Sequence, residues 1–440
     1  MKNKLNKIEF ISISVMLFGM FFGAGNLIFP PLLGYLAGEN VASAFIGFSL
    51  SAIILPILAV VAVSKTYGLE NLASRVNRKF AILYTVLIFL AIGPGLAMPR
   101  TATVPFEMAI MQYLPENFNL SLTRAIFTTA FFAITYILSV NETKAVESSG
   151  KILSPLLILF IVLLFIGVLT KSSANIAQPK GQYLNSPLVN GFIEGYGTLD
   201  ALAGLNFGLI IYMTLKKLGV EDKNKAIGYV VKSGIIAGTI LAIIYLALAY
   251  MGYITSGIEN LQNGAQIISY LSDSIFGSIG SVIVIAIFTL ACLTTCIGLL
   301  LNISDYFATL TKNIDSKNWK RIICLVSLLL ANFGLNTIMS YTVPILLILY
   351  PFSIALILLG LTHDKLSYTK QSYIAVAIIT FFISIISVID STLKIQIPGL
   401  TKLVSSLPLK EDGLEWLIPS LIVLIIVQLI TKNKNIKKKA

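Results

Sequence analysis

Apolar runs of bilayer length recur along the whole chain, and they limit what it can fold into. A helix of about 20 apolar residues spans the hydrocarbon core, where every backbone polar group must be paired within the protein. Only 12% of the residues are charged and 56% are hydrophobic, whereas soluble domains are about 25% charged. The sequence therefore predicts one all-α integral membrane domain over residues 1–440 with twelve transmembrane helices, near residues 10–37, 41–63, 80–112, 122–139, 152–170, 187–215, 226–252, 275–308, 320–334, 337–361, 372–389 and 414–431.

The distribution of lysine and arginine predicts how these helices are oriented. If the N-terminus lies inside, the inner segments between runs hold 24 lysines and arginines and the outer segments hold six. Positive residues accumulate in cytoplasmic loops. We therefore expect a multi-pass protein with both termini in the cytoplasm. The net charge of +12 then reflects topology rather than binding to nucleic acid.

The first apolar run is interrupted at its centre. Gly23, Gly25 and Asn26 are followed by Pro30 and Pro31, although glycine and proline disfavour helix by about 1 and 3 kcal/mol relative to alanine. This pattern predicts a helix to about residue 22, an unwound hinge, and a second helix from near residue 27. The free carbonyls of the first half would suit a cation and the free amides of the second a carboxylate. A kinked structural helix without a ligand is the alternative.

The sixth run contains a second cluster of helix breakers together with acidic residues. Each interrupted run opens a set of five spans, and an odd number of spans inverts the second set relative to the first. Paired breaks of this kind are typical of inverted-repeat transporters with a site at the membrane midplane. We expect repeat one at about 9–172, repeat two at about 186–362, and helices 11 and 12 at about 371–432. The second cluster consists of Gly191, Glu194, Gly195, Gly197, Thr198, Asp200, Gly204, Asn206 and Gly208.

Charged residues inside spans are costly and need a partner or a function. Arg100 and Glu107 are seven residues apart, about two helical turns, so we expect them on one face, either as a structural ion pair or each with another partner. Arg100, Glu107 and Glu194 are candidate gating residues. Asp200 would hold an ion, carry a proton, or cap the amides of a half-helix.

The eighth run carries a candidate cation site. The hydroxyls of Thr294 and Thr295 and the carbonyl of Ala291 lie close together on one helix. With two carbonyls from the first half-helix they would supply about five oxygens, and none of these groups titrates near neutral pH, which favours Na⁺ over H⁺. Threonines that bond back to their own helix are the alternative. The cysteines at 292, 296 and 324 lie in apolar runs and indicate neither disulfides nor a metal site.

Three stretches resemble the bacterial branched-chain amino acid:cation symporters, the BrnQ or LIVCS family. They run from Phe21 to Pro31, from Gly93 to Glu107, and from Glu194 to Leu202. The resemblance implies uptake of L-leucine, L-isoleucine and L-valine with Na⁺ or H⁺ across the bacterial cell membrane. It also implies a leucine-transporter-like fold of two inverted five-helix repeats, discontinuous at helices 1 and 6, plus two C-terminal helices.

The resemblance also implies roles for particular residues. The carbonyls of Gly19 and Phe22, with Ala291, Thr294 and Thr295, look like the fold's second sodium site. The amides of Ala24 and Gly25 look like its carboxylate clamp. Asn26 resembles a ligand of its first sodium site, but Leu202 stands where that site would need a threonine hydroxyl. The expected substrate-binding residues are Gly23, Ala24, Gly25, Asn26, Gly197, Thr198, Asp200 and Ala201.

Two other classes of function remain open at this stage. One is an H⁺-coupled symporter of another small amino acid or metabolite, with Glu107, Glu194 or Asp200 as the proton carrier. The other is a non-transporting membrane sensor or a channel. The sequence contains no motif for enzyme catalysis. Its expected partners are the lipid bilayer and a small-molecule substrate, with no obligate protein partner, and Na⁺ is the expected coupling ion with H⁺ as the alternative.

Overall fold

The computed structural model describes residues 5–115, 117–141, 145 and 148–437, without the side chains of residues 342 and 432–437. Some lysines that entered the predicted topology, among them Lys2, Lys144 and Lys438, lie outside these residues. Across the described residues the structure is built from helices, with no strand. The predicted all-α class is confirmed.

The described α-helices are numbered along the chain. They are α1 (Lys7–Phe21), α2 (Ala24–Ala37), α3 (Val41–Ser49), α4 (Leu55–Thr66), α5 (Leu69–Ala73), α6 (Arg78–Leu90), α7 (Ala97–Val104), α8 (Leu120–Ser139), α9 (Ser154–Lys171), α10 (Pro187–Glu194), α11 (Asp200–Lys217), α12 (Lys223–Ile254), α13 (Gly264–Phe276), α14 (Ser278–Leu310), α15 (Ser316–Ala331), α16 (Leu335–Leu366), α17 (Lys370–Ser391), α18 (Leu400–Ser405) and α19 (Leu417–Lys437). Short π-helical turns at Leu50–Ile54, Ala91–Gly95, Pro105–Ile110 and Ser149–Leu153 continue some of these helices, and 3₁₀ turns occur at Gly38–Asn40, Met111–Tyr113, Gly181–Leu184 and Gly195–Thr198.

Many of these helices are long and apolar enough to cross a membrane. Eight such stretches occur in the described part of the chain, or ten if each of two bent helix pairs counts as one span. One of the eight, Ala24–Thr66, has 43 residues and would be about 65 Å long as a straight helix, twice the thickness of the hydrocarbon core. Gly38, with φ 47°, turns the chain between α2 and α3, so this stretch contains the second half of the first predicted span and all of the second.

The broken helices pack along particular partners. Both α1 and α2 lie against α12, while α10 packs on α3 and α11 packs on α4. Glycines allow the closest approaches: a Cβ on Gly34 would overlap the carbonyl of Ala249, and one on Gly191 would overlap the carbonyl of Ala44. Small residues at such crossings let membrane helices approach backbone to backbone. Each broken helix is thus fixed against one long neighbour.

One helix lies where the sequence indicated a polar connection. Helix α13 occupies the second half of the segment between the seventh and eighth predicted spans, and it packs against α2 and α14. Asn263 caps it by accepting a hydrogen bond from the amide of Gln266 at 3.0 Å. Its apolar residues Ile267, Ile268 and Leu271 are buried. It is too short and too polar to read as a span, so its presence depends on tertiary packing.

Candidate functional site

The predicted break in the first span is present but shorter than expected. Phe22 (φ −76°, ψ 90°) and Gly23 (φ −122°, ψ −157°) are extended, and α2 begins at Ala24 rather than near residue 27. The side-chain oxygen of Asn26 accepts the amide hydrogen of Gly23 at 2.9 Å. This cap lets the helix begin three residues earlier. Gly25 therefore lies in the first turn of α2, where the backbone amides have no hydrogen-bond acceptor within the helix.

The same cap frees carbonyl groups at the end of α1. In a continuous helix the amide of Gly23 would donate to the carbonyl of Gly19, but here it donates to Asn26. The carbonyls of the last turn of α1, including those of Gly19 and Phe22, are therefore left without helical partners. On the other side of the break, the amides of Ala24 and Gly25 open α2. The break presents carbonyls on one side and amides on the other.

The predicted break in the sixth span is also present. Helix α10 passes into a 3₁₀ turn, Leu199 adopts a left-handed conformation (φ 67°), and α11 begins at Asp200. The two halves are bent by 49°. The hydroxyl of Thr198 donates to the carbonyl of Gly195 at 2.8 Å and so closes the turn.

The two breaks face each other. A Cβ on Gly25 would lie 2.9 Å from the Cα of Thr198 and 3.0 Å from the carbonyl oxygen of Gly197. No larger residue fits at position 25 without moving one of the breaks. The helix is therefore interrupted within residues 22–27 and within residues 196–202, and the two interruptions lie next to each other.

Polar side chains join the two breaks. The Asp200 carboxylate, only 2% exposed, accepts hydrogen bonds from the Asn26 amide at 2.5 Å and from the Tyr245 hydroxyl at 3.0 Å. The Asn26 amide also contacts the Tyr245 hydroxyl. Both ends of the Asn26 side chain are thus engaged by protein groups, and α2, α11 and α12 are connected at this point.

Arg100 lies at the same meeting point, and Glu107 does not. The Arg100 guanidinium donates to the Gly197 carbonyl, with 3.1 Å between Nη1 and O. Glu107 instead pairs with Arg124 at 3.4 Å and accepts the amide hydrogen of Leu335 at 3.1 Å. Of the two alternatives that the sequence left open, the second is found: Arg100 and Glu107 each have another partner. A π-helical turn begins at residue 105, so a seven-residue spacing no longer places two side chains on one face.

A cavity of about 30 Å³ lies between the breaks. Six of the eight expected substrate-binding residues line it, together with Arg100 and Thr295. Of the other two, Gly197 contributes the carbonyl bound by Arg100, and Ala201 is buried away from the cavity. Glu194 ends α10 and does not line it. The remaining wall is mainly apolar and comes from spans one, three, six and eight: Met20, Phe21, Ile92, Ala97, Thr101, Leu199, Ala203 and Leu299.

The residues of the candidate cation site meet along the seam between α1 and α14. A Cβ on Gly23 would lie 2.7 Å from the Thr295 hydroxyl, and one on Gly19 would lie 4.0 Å from the Thr294 Cβ. Thr294 bonds back to the carbonyl of Ala291 at 2.9 Å. The Thr295 hydroxyl is buried and has no hydrogen-bond partner among the described residues. An unpaired buried hydroxyl fits an oxygen shell for a cation.

Sequence reasoning missed two residues of this region. Ser154, at the start of α9, has a buried hydroxyl without a partner in the described chain, and it occupies the space beside Gly19. Tyr245 donates to Asp200 from α12. Ser154 precedes a proline in an otherwise apolar run, which is a weak signal, and Tyr245 has no signal that distinguishes it from a packing residue.

A larger cavity of about 760 Å³ lies at the end of the bundle where α1 begins and α11 ends. Along α1 and α14 it comes within about one helical turn of the central cavity: Met16 and Asn302 line the larger one, Met20 and Leu299 the smaller. The opposite end of the bundle is covered by the segment 175–184. There Lys180 donates its amide hydrogen to Leu36 and its ammonium to Ser256, each at 2.8 Å.

This combination of a helical membrane bundle and two facing helix breaks defines the class of membrane transporters with discontinuous helices. Solved structures share the fold. Mhp1, a nucleobase-cation-symport-1 family transporter, aligns with a TM-score of 0.59 at 13% identity and covers 98% of this chain and 93% of its own. The Eremococcus coleocola manganese transporter aligns with a TM-score of 0.56 at 14% identity, covering 96% and 95%.

The chain belongs to the branched-chain amino acid transport protein family, whose family model matches residues 6–434. The branched-chain amino acid permease BrnQ of Bacillus subtilis is 38% identical, over 96% of both chains. BrnQ of Lactobacillus delbrueckii is 36% identical over the full length of both. The branched-chain amino acid transport system 2 carrier protein of Pseudomonas aeruginosa is 34% identical over 96% of both. The protein is a multi-pass membrane transporter and not an enzyme.

Proposed function

We propose that this transporter imports L-leucine, L-isoleucine and L-valine together with Na⁺ across the bacterial cell membrane by alternating access. The observation that carries the proposal is the pair of helix breaks, which meet around one small cavity. The amides of α2 face that cavity for a carboxylate, and the Gly197 carbonyl and Asp200 are acceptors for an ammonium. The relatives are named as branched-chain amino acid permeases and carriers, and this supports the substrate class.

The composition of the cavity wall supports a branched apolar side chain. Beyond the polar breaks it is lined by Met20, Phe21, Ile92, Ala203 and Leu299. Burying such a side chain provides roughly 1.5–3 kcal/mol, and one methylene changes binding by only about 1–3 kcal/mol. The three amino acids should therefore compete for one site. Since about 30 Å³ has room for little more than one or two water molecules, the site must widen to admit them.

The proposed Na⁺ site uses the carbonyls of Gly19 and Phe22, the carbonyl of Ala291, and the hydroxyls of Thr294 and Thr295. Its support is the free carbonyls at the end of α1 and the unpaired hydroxyl of Thr295. A cation held there would attract α1 and α14 to each other and so favour one arrangement of the bundle. Moving one charge across 100 mV releases about 2.3 kcal/mol, enough for roughly 50-fold accumulation of the substrate.

The proposed architecture has twelve spans, two inverted five-helix repeats and two further helices. Its support is reciprocal packing: the first broken helix lies against the seventh span, and the second broken helix lies against the second span. With both termini in the cytoplasm, the cavity of about 760 Å³ would open to the cytoplasm and the 175–184 segment would cover the outer side. The arrangement described above would then be inward-facing.

Competition for leucine uptake tests the substrate assignment. Purified protein in proteoliposomes should take up radiolabelled leucine, and excess isoleucine or valine should suppress that uptake. Lysine and glutamate should leave it unchanged because the part of the wall that would receive the substrate side chain, beyond the polar breaks, is apolar. If lysine or glutamate competes as well as leucine does, the proposed substrate class is wrong.

An H⁺-coupled symporter is the second candidate, and the position of Asp200 favours it. This carboxylate is buried and lines the central cavity, where a proton carrier would have to lie. In that case uptake would follow a pH gradient without Na⁺, and Asp200→Asn would abolish the response to pH. Under the first proposal uptake by the wild-type protein requires Na⁺.

A further inference from the structure

Arg100 is a buried cation at the point where the two breaks meet. It is 6% exposed, and its Nη2 lies 2.8 Å from where a Cβ on Gly25 would be. Among the described residues its guanidinium has one hydrogen-bond acceptor, the carbonyl of Gly197, although a guanidinium has five donors. Burying a charge within a membrane is costly and marks a functional position.

The opposite charge lies across the same cavity. Asp200 and Arg100 both line it, and the two described side chains form no direct ion pair with each other. Asp200 is held by Asn26 and Tyr245. The cavity therefore lies between a carboxyl group and a guanidinium that form no direct ion pair with each other.

We propose that Arg100 is the receptor for the α-carboxylate of the substrate. A zwitterion between the two groups would place its carboxylate against Arg100 and the amides of α2. Its ammonium would lie against Asp200 and the carbonyl of Gly197. The pair of protein groups and the zwitterion are each neutral overall, so binding adds no net charge to the interior. This inference rests on the proposed function.

The engagement of Asn26 explains why an arginine is needed. In this structure the Asn26 oxygen accepts from Gly23 and its amide donates to Asp200 and Tyr245, so protein groups already engage both ends of that side chain. Arg100 supplies a permanent positive charge in that region. A guanidinium also matches a carboxylate with two parallel donors. Arg100 therefore determines specificity for the carboxylate group.

Binding of leucine and of leucinamide to purified protein tests the inference. Leucinamide keeps the ammonium and the side chain but replaces the carboxylate by a neutral amide. At about pH 6.5 its amino group is charged. We expect the wild-type protein to bind leucine at least about tenfold more tightly than leucinamide, because hydrogen bonds to charged groups are the stronger ones. Arg100→Gln should weaken leucine binding about 30-fold or more and remove the preference for leucine over leucinamide.

Two further variants complete the design. Arg100→Lys keeps the charge without the planar fork, so it should bind leucine more weakly than the wild type but still prefer leucine to leucinamide. If Arg100→Gln does not fold, the comparison of leucine with leucinamide binding is made with Arg100→Lys. Arg321→Gln is the matched control, because Arg321 lies on α15 with its side chain exposed and bonded to Tyr136 and Asn318. It should bind both compounds as the wild type does.

The outcomes separate this inference from the proposed function. If the wild-type protein binds no branched-chain amino acid, the proposed function fails. Two results would show that Arg100 is not the carboxylate receptor. In the first, the wild-type protein binds leucine and leucinamide equally well. In the second, Arg100→Gln binds leucine within about threefold of the wild type and still prefers leucine to leucinamide. The proposed function stands in either of these two cases.

Discussion

Thr295 is the residue on which the proposed ion site depends most directly, because its buried hydroxyl has no hydrogen-bond partner among the described residues. Its neighbour Thr294 donates to the carbonyl of Ala291, as isolated threonines in membrane helices usually do. Thr295 makes no such bond and lies against the Gly23 backbone at the break. A buried hydroxyl without a partner costs about 1–3 kcal/mol, and a bound cation would remove that cost.

Thr295→Ala should therefore raise the Na⁺ concentration for half-maximal leucine uptake by about tenfold, which corresponds to roughly 1.4 kcal/mol. The relative uptake of leucine, isoleucine and valine should not change. Thr294→Ala should act in the same direction but less strongly, because its hydroxyl already has a partner. The measurement is the Na⁺ dependence of uptake in proteoliposomes.

Thr309→Ala is the control on the same helix. Thr309 is exposed and bonds back to Tyr306 at 2.6 Å, so its replacement should leave Na⁺ activation unchanged. Na⁺ activation like that of the wild type in both Thr294→Ala and Thr295→Ala would contradict the ion-site assignment.

At the scale of helices, Gly25 fixes how the two broken spans meet. Gly25→Ala would place a methyl group 2.8 Å from the Arg100 guanidinium and 2.9 Å from the Thr198 backbone. Overpacking of this kind costs about 1–3 kcal/mol, and here the strain falls on the candidate site. Thermal unfolding should show a lower midpoint, and leucine binding should weaken by tenfold or more.

Gly228→Ala is the matched control for that variant. Gly228 lies in α12, and a Cβ there would meet nothing within 4 Å. Alanine is the better helix former by about 1 kcal/mol, so this variant should be at least as stable as the wild type and bind leucine equally well. Equal behaviour of Gly25→Ala and Gly228→Ala would show that the breaks do not meet at residue 25.

Both breaks could be predicted from the sequence because glycine, proline and asparagine disfavour continuous helix locally. Their exact limits could not, since the start of α2 depends on the cap from Asn26. Whether Arg100 pairs with Glu107 could not be decided from the sequence, because nothing in it signals the π-helical turn that begins at residue 105. Ser154 and Tyr245 reach the site only through packing of α9 and α12, which no local pattern records.

At the scale of the whole molecule, the two ends of the bundle differ. A cavity of about 760 Å³ lies at the end where α1 begins. The opposite end is covered by the segment 175–184, in which the Lys180 ammonium lies 3.7 Å from the centroid of the Tyr35 ring. Alternating access requires that this difference reverse during transport.

Thiol labelling tests the open end. Ser12 lines the large cavity, so a cysteine at that position should react with a membrane-impermeant thiol reagent applied from the cytoplasmic side. If the bundle rearranges during transport, adding leucine together with Na⁺ should change the rate of this thiol reaction at least threefold. The native cysteines at 292, 296 and 324 are buried and should contribute little background.

Ser14→Cys provides the control for labelling. Ser14 lies on the same helix but is fully buried, so a cysteine there should react slowly on either side. If Ser12→Cys reacts no faster than Ser14→Cys, or reacts only from outside, the proposed orientation of the open cavity is wrong.

The measurement that tests the central claim most directly is leucine uptake in proteoliposomes with Na⁺ and pH gradients imposed separately. A site built from two helix breaks and a non-titrating oxygen shell predicts accumulation with an inward Na⁺ gradient at equal pH, and none with a pH gradient in the absence of Na⁺. Accumulation driven by the pH gradient alone, without a response to Na⁺, would contradict this account.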